Sequence, residues 1–210
     1  MEDKMGMEEV GKKNIEQLRE KFIDIMARFT VYTGIYLPDD VKAKLKELRE
    51  KEDSGLATIV YDAMFEDLKL AGQLGRPLCQ DTGVIQYFVQ VGTGFPLLDE
   101  MEDCLREAVK RATFLGPLRH NAVEVFDEKN TGNNIGKRIP WIYWEIIPDS
   151  DEAKIYVYMA GGGCSLPGIA RVLMPLEGYE GIVKLVFDQI TSYGINACPP
   201  LLVGIGIAGS

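Results

Sequence analysis

Only one histidine, His120, occurs in the 210 residues. A multi-histidine metal site is therefore excluded, and a serine–histidine site has a single candidate base. Cations are scarce as well. Lys and Arg number 23 against 32 Asp and Glu, a net charge of −9. That balance argues against nucleic acid or an acidic membrane surface as partner. It leaves a small anion open, because a few local cations decide a site. No apolar run approaches the roughly 20 residues of a membrane span. The opening MEDKMGMEEVGKKN has no apolar core of a secretory signal, so the expected location is the cytoplasm. Four cysteines in that setting read as reduced, buried or metal-bound thiols, not as disulfides. No Gly-Lys-Ser/Thr follows the glycine triplet at 161–163, so it is no phosphate loop. Gly204-Ile205-Gly206-Ile207-Ala208-Gly209 has dinucleotide-fingerprint spacing, but neither the helix nor the later acidic residue of that motif follows it. No internal repeat occurs.

What is present is ordinary globular material, 46% hydrophobic and 26% charged. Val10, Ile15, Leu18, Phe22, Ile23, Ile25 and Met26 recur at helical spacing, which predicts a helix over 8–35. Pro38 with Asp39 and Asp40 opens a second helix, to about 51, and a third runs from about 55 to 73, with Gly72 and Gly75 ending it. Val84–Val91 reads as a strand, 98–113 as an amphipathic helix carrying Cys104 on its packed side, and 119–138 as a polar loop. Trp141–Ile147 and Lys154–Ala160 read as strands joined by a turn at 148–151, with Trp141 and Trp144 packing on a strand face. Tyr179–Tyr193 reads as a helix and Leu201–Ile207 as a buried strand. The expected fold is α/β (or α+β): one domain over 1–210, with a helical N-terminal lead-in (1–75) packed on a mixed β-sheet domain that carries the site loops (76–210).

Chemistry gathers in four places. Cys79-Gln80-Asp81-Thr82-Gly83 sets a thiol, an amide, a carboxylate and a hydroxyl at the mouth of the first strand; it reads as a site or as a buried cysteine before a turn. In Ala197-Cys198-Pro199-Pro200 the prolines give the sulfur a rigid, extended exit, as in some iron–sulfur ligand runs. The alternative is a strand-entry turn with a buried thiol. Gly161-Gly162-Gly163-Cys164 lets backbone amides approach an anion, or is simply a flexible loop. Arg119 offers a planar fork for a carboxylate, beside a His120 that reads as a loop or core residue. Asn130-Thr131-Gly132-Asn133-Asn134 reads as an Asx-type turn.

In this order, Cys-Gln-Asp-Thr-Gly, Asn-Thr-Gly-x-Asn, the glycine triplet and Ala-Cys-Pro-Pro before a glycine-bearing strand, the sequence resembles the iron–sulfur hydro-lyases. These are the class I fumarases and the L(+)-tartrate dehydratases. The resemblance covers most of the chain. Fumarases of this class usually read Lys-Gly-Gly-Gly-Ser where this chain has Ala160-Gly161-Gly162-Gly163-Cys164-Ser165, and Leu118–Glu124 also resembles the alpha subunits of the tartrate branch.

The resemblance implies a [4Fe–4S] cluster on three thiolates, one iron open, with Cys79 and Cys198 as two of the ligands. It places the third ligand in a later segment, so the expectation is that this sequence lacks its C-terminal part. Gln80 and Asp81 are implied as catalytic and substrate-orienting residues, and Arg119 and Gly162 as holders of the substrate's carboxylates. Cys164 is left as a residue of the substrate loop. The implied reaction removes water from a 2-hydroxy dicarboxylate, giving oxaloacetate from L(+)-tartrate. The general base is implied to come from a beta subunit in an alpha2-beta2 assembly, so the chain alone is expected to be inactive. The competing expectations are a fumarase alpha subunit, a clusterless fragment acting as a binding or structural module, and, more distantly, a dinucleotide enzyme.

Overall fold

The computed structural model describes residues 2–208, with side chains from Lys13 onward. The side chain of Val10 and the end of the tail at Gly209 and Ser210 lie outside the described residues. The chain divides into two compact units, one up to Met159 and the other from Ala160 on.

The first unit is built around strand β1 (Val84–Gly92). Its side chains alternate, as a strand with one covered face must. Ile85, Tyr87, Val89 and Val91 are buried, and Phe88 is exposed. Helix α1 (Glu2–Ile35) and helix α4 (Met101–Leu115) cover the buried face. Ile23, Met26 and Ala27 of α1 meet Met101, Cys104, Leu105, Ala108, Val109 and Ala112 of α4 around that strand. One polar pair sits inside. The Tyr87 hydroxyl lies 2.7 Å from Thr30 Oγ1, and Thr30 Oγ1 donates to the Met26 carbonyl at 2.8 Å. Burial pushes the Tyr87 phenol well above its ordinary range.

Not all of the predicted α1 stripe is covered. Ile15, Leu18 and Ile25 are exposed. At about 100° per residue, Leu18 and Ile25 lie on the side of α1 away from buried Ile23, Ala27 and Thr30. Helices α2 (Asp39–Lys51) and α3 (Gly55–Leu74) begin and end where the sequence predicts, α3 on Gly75 with φ +61°. Arg49 ties them together through a forked contact to Asp62, at 2.9 and 3.3 Å. Of the lead-in, α1 does the packing: α2 buries no residue and α3 buries only Ala71.

Strands β2 (Trp141–Ile147) and β3 (Ala153–Ala160) form at the expected places, but β1 lies between them in the order β2-β1-β3. β1 and β2 run parallel, Gln86 opposite Trp141 and Gly92 opposite Ile147. A parallel pair needs a crossover, and α4 supplies it. The 148–151 turn must then pass over the end of β1 to reach its other side. Ser150 O accepts the Gly94 N–H and Glu152 O accepts the Gly92 N–H, both at 2.8 Å. The end of β1 thus meets the start of β3, so those two run antiparallel and the sheet is mixed.

The other face of the sheet carries Phe88 stacked on Tyr143, with ring centroids 4.7 Å apart, together with exposed Tyr156 and Tyr158. Of the two tryptophans expected to pack on a strand face, Trp141 does so against Tyr143, with ring centroids 5.8 Å apart. Trp141 lies on this open face, and Trp144 shares the register position of buried Val89 but sits on edge strand β2; both are about two-fifths exposed.

The second unit holds a single helical turn α5 (Gly162–Ser165), a short 3₁₀ turn at Pro175–Glu177, helix α6 (Gly178–Tyr193) and a further 3₁₀ turn at Gly194–Asn196. The expected strand at Leu201–Ile207 is absent, and its apolar side chains are exposed. An apolar run becomes a strand only beside another strand that pairs its N–H and C=O groups, and the described residues of this unit contain none.

A Cβ placed on Gly92 would stand 2.0 Å from Ser150 O. Gly92→Ala should therefore lower stability by about 2–3 kcal/mol in urea unfolding. Gly55→Ala, where nothing lies within 4 Å, should stay within about 1 kcal/mol of the parent.

Candidate functional site

The turn 79–83 is hung from the end of α1. Leu78 N–H donates to Gly34 O at 2.9 Å, using a carbonyl that the last helical turn leaves without an internal partner. Gly83, at φ +65°, closes the turn into β1. Inside it, the Asp81 N–H donates to Cys79 Sγ at 3.4 Å, and the thiol lies 3.5 Å from Gln80 Oε1. Cys79 and Gln80 are exposed and Asp81 is half-buried. Asp81 Oδ1 accepts the Gly83 N–H at 2.9 Å and a short hydrogen bond from the Asn121 side-chain amide. The Thr82 hydroxyl is buried and finds no hydrogen-bond partner among the described residues, a costly arrangement for a polar atom.

Arg119 and Asn121 leave α4 through the buried Leu118. The Arg119 side chain is exposed, and its carbonyl accepts from Asn134 Nδ2 at 3.0 Å. His120 is exposed, edge-on to Phe114 at 6.0 Å. The 130–134 segment does make Asx turns: Gly132 N–H donates to Asn130 Oδ1 at 2.8 Å and Ile135 N–H to Asn133 Oδ1 at 3.1 Å. The first unit thus joins Cys79, Gln80 and Asp81 in one turn and links Asp81 to the 119–121 segment.

In the second unit the glycine triplet opens the one-turn helix α5. Gly161 O accepts the Ser165 N–H and lies 3.1 Å from Cys164 Sγ. Cys198 folds back onto this turn. Its N–H donates to Gly163 O at 3.4 Å, and its sulfur sits 3.0 Å from where a Cβ of residue 163 would stand. The glycine at 163 therefore makes the seat for the Cys198 sulfur, and this unit joins Cys198 to the turn that Gly162 begins.

The two thiols suit an iron–sulfur cluster in donor chemistry. Both are exposed and free of disulfides, and the N–H donated to Cys79 is the kind of contact that stabilises a thiolate ligand. Among the described residues, no three His, Cys, Asp or Glu side chains converge on one point as a ready metal site. Cys104 is fully buried in the core as expected, and burial raises its thiol pKa. The residues that the motifs did not single out are Asn121, as donor to Asp81, and Thr113, which accepts from Asn134 Nδ2 at 3.2 Å. Side chains 40 positions apart give no local spacing signal.

Each unit thus presents an exposed cysteine held by main-chain contacts, Cys79 beside a clamped carboxylate and Cys198 on a glycine turn, and thiolates are the donors that iron–sulfur proteins use. Residues 23–210 match the family model described as fumarate hydratase (Fumerase), and the chain belongs to that family. The chain is 54% identical over 201 residues to L(+)-tartrate dehydratase subunit alpha of Escherichia coli (strain K12), covering 96% of this chain and 66% of that protein. It is 54% identical to the subunit of the same name in Shigella sonnei (strain Ss046) and 53% to that in Escherichia coli O157:H7, with the same coverage. The chain thus spans about two thirds of the length of the curated relatives it matches. No helix among the described residues is long and apolar enough to cross a membrane.

The thiols differ in access, and the thiolate is the reactive form. In the cluster-free protein a disulfide reagent should titrate Cys79, Cys164 and Cys198 quickly, and Cys104 only after denaturation. Four fast thiols would contradict the burial of Cys104.

Proposed function

We propose that the chain is the alpha-type subunit of a hydro-lyase that dehydrates a 2-hydroxy dicarboxylate, L(+)-tartrate, to oxaloacetate and water. The observation that carries this reading is the 79–83 turn, where an exposed thiol accepts the Asp81 N–H and the neighbouring carboxylate is fixed by Gly83 and Asn121. The similarity to tartrate dehydratase alpha subunits over 96% of this chain supports it. Cys79 and Cys198 are the residues that would hold a [4Fe–4S] cluster. When bound, such a cluster supplies an open iron as Lewis acid, which makes a hydroxyl a workable leaving group near neutral pH.

The chain's own residues bind and orient. Arg119, exposed and always charged, takes one substrate carboxylate through its planar fork. The Gly162 turn takes the other through main-chain N–H groups. Asp81, held at Oδ1, and Gln80 beside it orient the hydroxyls. The proton at C3 goes to a base contributed by a beta subunit in an alpha2-beta2 assembly. The acidic chain accommodates a dianion because Arg119 sets the local charge, and the reading places the protein in the cytoplasm.

The test is anaerobic iron and sulfide loading of the full-length subunit with its partner, followed by turnover on L-tartrate and on malate. Tartrate should be the better substrate. Cys79→Ser or Cys198→Ser should lower bound iron and abolish turnover, while Arg119→Ala should raise KM about 100-fold, the loss of a charge-assisted pair. Full turnover without bound iron would overturn the proposal, and a preference for malate would move it to a fumarase.

A further inference from the structure

The bonds around Asp81 reach well beyond the turn that carries it. We propose that Asn121 and Asn134 are positioning residues for the Asp81 carboxylate, with Asn134 acting through Asn121. The inference rests on the dehydratase reading in taking Asp81 as a group that meets the substrate.

Gly83 and Asn121 both donate to Asp81 Oδ1. The Gly83 N–H is local, the bond any Asp at the head of such a turn makes. It holds the turn but ties it to nothing outside. The Asn121 amide spans 40 positions and fastens the turn to the segment that follows α4. Asn121 is itself fixed by its main chain, whose N–H donates to Asn134 Oδ1 at 2.7 Å.

Asn134 is buried, 2% exposed, and its carboxamide is used at both ends. The oxygen receives Asn121, and the nitrogen donates to Thr113 Oγ1 at 3.2 Å and to Arg119 O at 3.0 Å. Thr113 is anchored in turn on Val109 O at 2.8 Å, inside α4. The rigid body behind this chain of bonds is therefore the helix that packs on β1. At φ +58°, Asn134 also has a left-handed backbone, which Asn tolerates better than most side chains. Aspartate would lack the two donated bonds, and glycine would keep the backbone but lose all three.

Tying down the loop alone would not require the bonds to end where they do. One branch ends on the Asp81 carboxylate. The other ends on the carbonyl of Arg119, the proposed carboxylate fork. Two of this unit's proposed substrate-facing groups, Asp81 and Arg119, are thus referred to one buried side chain. A network satisfied at every member holds a single geometry, and small displacements of orienting groups lower the rate of the chemical step more than binding.

The test compares Asn121→Ala, Asn134→Gly and the double variant in the full-length subunit. Asn134→Gly keeps the left-handed backbone and so guards against misfolding. In the loaded assembly, Asn121→Ala should lower kcat on L-tartrate by about 10- to 100-fold, with KM within about threefold and bound iron unchanged. The double variant should be no slower than the slower single variant, because the two residues act in series. In the cluster-free subunit, amide hydrogen exchange across 78–84 should quicken by about tenfold or more in both single variants. Unchanged exchange and kcat in Asn121→Ala, or losses that multiply in the double variant, would overturn the proposal. If the parent turns over neither tartrate nor malate, the dehydratase reading falls, and the exchange measurement still decides whether Asn121 and Asn134 hold the Asp81 turn. If Asn134→Gly does not fold, Asn121→Ala decides alone.

Discussion

Strand β1 can bury only one register of its side chains, and the rest of the first unit follows from that constraint. Shifting it by one residue would drive Phe88 and Gln90 into the core and expel Tyr87 and Val89. Four fully buried side chains at about 1.5–3 kcal/mol each make such a slip prohibitive. The buried Tyr87–Thr30 pair adds a directional lock between strand and helix. With β1 fixed, its start places the Cys79–Gly83 turn and its end places Gly92 beneath the 148–151 connection. Site and topology are thus set at opposite ends of the same nine residues.

The candidate site residues are anchored in two ways. In each unit the cysteine is exposed and held by main-chain contacts, the Asp81 N–H at Cys79 in the first and the Gly163 carbonyl at Cys198 in the second. Ligand residues can be presented this way because the metal, when bound, contributes the remaining order. The Asp81 carboxylate is held differently. It takes the Gly83 N–H and the Asn121 side-chain amide, and the Asn121 main chain is held in turn by buried Asn134. That division is what a thiolate-held Lewis acid and a dicarboxylate substrate require of a protein: accessible donors for the metal and a stiff frame for the groups that meet the substrate.

Much of this is legible in the residues. Pro38, Gly75 and Gly116 mark helix ends by local chemistry, and the bounds of α2, α3 and α6 fall where turn residues and periodicity put them. The Cys-Gln-Asp-Thr-Gly and Ala-Cys-Pro-Pro motifs lead to the family that the comparisons then show. What depends on partners far along the chain is not legible. Nothing local says that β1 separates β2 from β3, that Ile25 faces away from the core between buried Ile23 and Met26, or that Leu201–Ile207 finds no strand to pair with among the described residues. Asn134 looks like a turn residue because its spacing is that of one; its role appears only when Thr113, Arg119 and Asn121 surround it.

The central claim is that this chain's cysteines hold a cluster whose open iron takes the substrate. The most direct measurement is the Mössbauer spectrum of the ⁵⁷Fe-loaded assembly, recorded with and without L-tartrate. The account predicts a [4Fe–4S] spectrum in which one iron site alone changes when tartrate is added, as coordination at a single open position demands. A spectrum that tartrate leaves unchanged, or a properly assembled protein that takes up no cluster, would contradict it.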